Sequence, residues 1–104
     1  MPQFDVFQNP IVPARNAYPW VVVLQSEFAN VGPERIVAPL VPRAGWPRVP
    51  GRLTPVVPVT GIEHLVLIPA LTGVSARELD QPVGSLGASS VEILAAIDYL
   101  FFGV

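Results

Sequence analysis

Apolar residues along the chain come first in short dense runs and then, near the end, at helical spacing. Gln3 to Phe7 is short and alternates. Tyr18 to Gln25, "YPWVVVLQ", is dense in β-branched and aromatic residues. Ile36 to Val41 ("IVAPLV"), Pro55 to Val59 ("PVVPV") and Glu63 to Pro69 ("EHLVLIP") have the same character, broken or bounded by proline. Runs of this length between turn formers read as strands. Thr60-Gly61 stands between two of them and predicts a hairpin. Pro42 to Pro50, "PRAGWPRVP", has no period and reads as an exposed loop. Its Trp46 is either pinned against the core or presented to a partner.

After Gly87 proline disappears. Ser89-Ser90-Val91-Glu92 matches a capping box, in which a serine hydroxyl and Glu92 satisfy free backbone N–H groups. Ile93, Leu94, Ile97, Leu100 and Phe101 follow at helical spacing, with Glu92, Ala95, Ala96 and Asp98 on the other face and Gly103 as a stop. The pattern predicts a helix over about 90–101. Ser75 to Glu78 also resembles a capping box, but Pro82 cuts it short, leaving a turn or a short strand edge.

Proline strengthens the β reading. The chain has 13 in 104 residues, and a residue without an N–H breaks helix interiors but is tolerated at strand ends and edges. Apolar residues make up 51% and charged residues 13%, so the chain folds, as one domain over residues 1–104. The expected class is α+β, mainly β: several short strands in a barrel, with a C-terminal helix docked on it.

Chemistry is sparse. There is no cysteine, which excludes disulfides and thiolate metal sites. His64 is the only histidine, sits in an apolar run and cannot build a multi-histidine site, so it reads as a core or edge residue with a satisfied hydrogen bond. Carboxylates are scattered, and no nucleophile elbow or phosphate-binding loop is visible. No metal, cofactor or catalytic residue is expected. The formal charge is −2, against the basic excess of a nucleic-acid binder. All six cations are arginine, and Arg35, Arg43, Arg48 and Arg52 form either a local patch or a set of solvated loop charges. No signal-peptide pattern or long apolar span appears, so the expected location is cytoplasmic, with no membrane partner.

Several stretches, taken in order, resemble the CcdB family of bacterial toxins. "MPQFDVF" is similar to that family's first strand, and "YPWVVVLQSEF" followed by "RIVAPLV" to its second and third, including the step Gln25-Ser26-Glu27. "LTPVVPV" is similar to the next strand, and "ILAAIDYLFFGV" to the terminal helix and tail. With one insertion before Tyr18 and about one residue adjusted between Arg43 and Leu53, the resemblance covers nearly the whole chain. It implies an SH3-like antiparallel barrel of the CcdB/MazF type with a C-terminal helix, assembled as a homodimer. It also implies a toxin that is not an enzyme. Such a toxin binds the DNA gyrase A subunit, traps the complex with cleaved DNA, and is neutralised by a CcdA-like antitoxin; operator DNA is bound only through the antitoxin complex.

In the family the last three residues carry gyrase poisoning, and they map onto Phe102, Gly103 and Val104. The family pattern has tryptophan at the first position and isoleucine at the last. Phenylalanine keeps a face that can stack on a guanidinium but lacks the indole N–H. Valine is smaller by one methylene, worth roughly 0.8 kcal/mol where buried. Independently of the resemblance, "YLFFGV" is unusual as a polar, frayed end is the norm. Leu100 and Phe101 continue the helix stripe and anchor it, whereas Phe102, Gly103 and Val104 lie beyond the helix and are free for a partner. Two other readings remain open. One is a MazF-like endoribonuclease on the same barrel, using Arg15 or Arg35 with Glu27 or Asp5. The other is a non-toxic homologue that only binds an antitoxin.

Overall fold

Phe4 decides where the first strand begins. Its φ of 71° lies in the left-handed region, so the extended run starts at Asp5 rather than at Gln3. Phe4 is held there by its N–H on the Val23 carbonyl at 2.7 Å and its carbonyl on the Leu86 N–H at 2.8 Å. In the computed structural model, which describes residues 2–29 and 32–104, the strands are β1 (Asp5–Gln8), β2 (Trp20–Val23), β3 (Glu34–Pro42), β4 (Val56–Val59), β5 (Ile62–Val66), β6 (Thr72–Ser75) and β7 (Gly84–Ser85). Short 3-10 turns link them, and one helix, α1 (Ser90–Phe102), follows.

Every strand pairing is antiparallel, in the order β4-β5-β3-β2-β1-β7, with β6 also on β3. The long β3 organises the sheet. One side pairs with β2; on the other, β6 pairs with its first half as far as Val37, and β5 takes over from Leu40. Pro39 falls in the seam between the two. Its carbonyl faces that side, accepting the Leu67 N–H at 2.9 Å, so the N–H that proline lacks would have pointed there too. Pro58 is tolerated because β4 is an edge strand. The result is a nearly closed antiparallel barrel with one C-terminal helix, the SH3-like, mainly-β architecture expected from the sequence.

β2, β3 and the end of β5 bury both faces, which explains why they read as dense runs rather than clean alternations. Val6, Val22, Leu40, Val57 and Val66 point to one cluster, closed by Ile93 and Ala96 of α1. Phe7, Val21, Val23 and Val37 point to the other, closed by Val74 and Leu79. The Thr60-Gly61 hairpin is present, with φ of 51° and 80° and Val59 opposite Ile62. Two positive φ values are what a tight two-residue hairpin turn requires. Trp46 is half-buried and packs with Tyr18 against Val41, Leu65 and Leu67.

The helix departs from expectation in three details. The capping box does not form: a 3-10 turn over Gly87–Ser89 runs directly into α1, and Ser89 makes no side-chain cap bond. Ahead of that turn, Ser85 Oγ accepts the Gly87 N–H at 3.1 Å. The inner stripe is Ile93, Ala96, Ile97 and Leu100, so Ala96 is buried while Leu94 and Phe101 face solvent. Finally, the helix continues through Phe102 instead of stopping before it.

Candidate functional site

The inner stripe of α1 leaves an opposite face. Val91, Leu94, Ala95, Asp98, Phe101 and Phe102 fall on it by helical spacing, and all are exposed. Asp98 is the one charge among them. Phe102 is 75% exposed and Val104 73%. Between these two side chains Gly103 takes φ 72° and ψ 22°, and its N–H donates to the Tyr99 carbonyl at 3.0 Å. This is a left-handed helix cap, for which glycine is favoured because it has no Cβ. The turn separates the Phe102 ring from the Val104 side chain, so that neither packs on the barrel.

Beside this tail the loop before β4 approaches. Trp46, Arg48, Arg52, Thr54 and Tyr99 line a cleft of about 340 Å³. The Arg52 guanidinium lies over the Tyr99 ring, 3.9 Å from its centroid, and Nη2 donates to the Val104 backbone oxygen at 3.0 Å. Both geometries suit a planar cation, which offers a face to the ring and an edge to the acceptor.

The four arginines of the supposed patch do not act together. Arg48 and Arg52 share the cleft. Arg43 pairs with Glu63 at 3.3 Å, the one ion pair among the described residues, and both side chains are well exposed. Arg35 donates to the carbonyls of Gly32 and Glu34. Arg15 donates through Nε to the Asn9 carbonyl at 2.6 Å. Arg15 and Arg35 are thus held by backbone, and neither forms an ion pair with Asp5 or Glu27. Burial raises the Asp5 carboxyl above its ordinary value, and the Glu27 charge pushes in the same direction. His64 is buried on β5, and its Nδ1–H donates to the Ile62 carbonyl at 2.8 Å, a structural bond. Among the described residues no group of three or more histidine, aspartate or glutamate side chains could hold a metal ion. No helix of the structure is long and apolar enough to cross a membrane.

The family model for the CcdB protein matches residues 3–103, almost the whole chain. The chain belongs to the CcdB family. No curated protein matches it in a sequence search. Membership makes it a toxin of the toxin–antitoxin kind in general terms. It also accounts for the barrel and its C-terminal helix. Arg52 and Tyr99 were not candidates for the tail site on sequence grounds. Apart from arginine's general role as an anchor, no local pattern connects two residues so far apart in the chain.

Proposed function

We propose that this CcdB-family protein is a non-catalytic toxin that binds the DNA gyrase A subunit through Phe102, Gly103 and Val104 and traps gyrase on cleaved DNA. In this reading it works as a cytoplasmic homodimer. A CcdA-like antitoxin neutralises it and provides its only link to operator DNA.

The observation that carries the proposal is the pair of exposed apolar side chains, Phe102 and Val104, set apart by a left-handed glycine. They contribute little to the fold, whereas burial in a partner would be favourable by roughly 1.5–3 kcal/mol for the phenylalanine alone. An arginine of the partner could stack on the Phe102 ring. The outer helix face continues the same apolar surface through Phe101, Leu94 and Val91, which supports a second copy or a partner covering it.

Calorimetry with the gyrase A subunit tests the proposal. The intact chain should bind, and a chain lacking residues 102–104 should fold but give no binding heat. Absence of binding by the intact chain, or equal binding by both, would overturn it. Incubation of the pure protein with RNA should leave the RNA uncut.

A further inference from the structure

We propose that Arg52 is the positioning residue of the tail, a latch that holds Val104 and thereby fixes how Phe102 is presented. The proposal rests on the tail being a binding element, as argued above.

The sequence Pro50-Gly51-Arg52-Leu53-Thr54-Pro55 builds a rigid mount. The Thr54 N–H donates to the Gly51 carbonyl at 3.0 Å, and the Gly51 N–H donates to Thr54 Oγ1 at 2.9 Å, closing a tight turn with Arg52 inside it. Proline on each side restricts the backbone entering and leaving that turn. The barrel fixes it from behind: the Leu53 carbonyl accepts the Ile68 N–H at 3.3 Å, and the Pro55 carbonyl accepts the Val66 N–H at 3.0 Å.

From this mount Arg52 closes a circuit. Its guanidinium lies over the Tyr99 ring, its Nη2 holds the Val104 oxygen, and the Tyr99 carbonyl holds the Gly103 N–H. Among the described residues this is the one hydrogen bond that joins Val104 to the barrel. Phe102 and Val104 are too exposed for packing to hold them. With the latch in place, the ordering cost of the tail is met before a partner arrives. Lysine could not replace arginine, because a point-like ammonium cannot stack by a face and donate by an edge together.

The test is nitrogen-15 relaxation and amide exchange at Gly103 and Val104 in the full chain, with Arg52→Ala, Arg52→Lys and Tyr99→Leu variants, followed by gyrase A subunit calorimetry. In the unaltered chain Val104 should be as ordered as α1. In all three variants it should become as mobile as a free chain end, with the melting temperature unchanged, and gyrase affinity should fall about tenfold through a less favourable entropy. A tail that stays ordered in Arg52→Ala, or gyrase affinity unchanged by it, overturns the latch. Wild-type behaviour of Arg52→Lys overturns the argument from the planar fork. If the tail loosens but the intact chain does not bind gyrase, the gyrase reading falls while the relaxation data uphold the latch.

Discussion

Ile93 and Phe102 belong to the same helix and are both large and apolar, yet one is wholly buried and the other is 75% exposed. Ile93 shares a buried cluster with Val57, Val66 and Ile68, side chains whose exposure to water would be costly. Around Phe102 lie solvent and the Gly103 turn. The inner face of α1 stabilises the barrel, whereas the outer face and tail leave apolar surface uncovered. Apolar surface kept in water at a small cost in solubility points to a partner, and its placement on a rigid helix makes it a stable target. The comparison separates what the fold needs from what function needs.

The sharpest way to break that separation is a pair of alanine substitutions. Ile93→Ala opens a cavity beneath the helix and should destabilise the protein by about 2–5 kcal/mol. Phe102→Ala removes more side chain but should change stability by no more than about 0.5 kcal/mol, because an exposed residue has little to lose. Urea unfolding of both variants measures the difference. Equal losses would mean that Phe102 is part of the core after all, and the tail would then have no claim to a separate role. Gyrase calorimetry should reverse the ranking, with Phe102→Ala losing binding and Ile93→Ala retaining it under conditions where it remains folded.

Gly103 sharpens the comparison on a smaller scale. A Cβ there would meet nothing within 4 Å, so any effect of Gly103→Ala comes from forcing a φ of 72° on a residue with a side chain. That strain is about 1 kcal/mol. It should appear as a tail that leaves its cap, and therefore as about a fivefold weaker partner affinity, without loss of barrel stability. Gly103→Asn should be milder, since asparagine tolerates the left-handed region. A stability loss as large as that of Ile93→Ala would show the tail and the barrel to be one cooperative unit.

Much of this organisation was legible in the sequence. The β-branched runs of β2, β3 and β5 mark themselves because those strands bury side chains on both faces, and that of β4 because Val57 and Val59 enter the core. The tail marks itself by two aromatic residues beside a glycine, and in the fold Phe101, Phe102 and Val104 are exposed. Other parts are set by tertiary context. Thr72 to Ser75 and Gly84-Ser85 have no strand composition of their own, and they are strands because β3 and β1 offer them a ladder. Phe4 takes a left-handed backbone that no propensity would assign to it. Helical spacing could not choose the buried face of α1. Apolar residues lie on both sides of that helix, so only the barrel decides that Ala96 goes in and Phe101 stays out. Arg52 meets the tail across 52 positions of sequence, a contact that only the closed barrel can create.

The smallest effect extends the comparison from apolar to charged side chains. Asp98 lies in solvent on the outer face of α1, whereas Asp5 is half-buried where β1 meets β7 opposite Ser85. Burial, with a contribution from the Glu27 charge, raises the Asp5 carboxyl above its ordinary value. The native state therefore holds a proton more tightly than the unfolded chain does. The stability this contributes is complete below the unfolded value and is lost as pH rises through the raised native one. At neutral pH the ionised Asp5 is then a small burden on the fold, and Asp5→Asn should raise the melting temperature there. The gain should shrink as pH falls and vanish below about pH 4, where the unfolded chain is protonated as well. Melting curves of Asp5→Asn and of the unaltered chain across the acid range measure this. An Asp5→Asn protein less stable than the unaltered chain at neutral pH would mean that the carboxylate has a favourable partner that outweighs its burial.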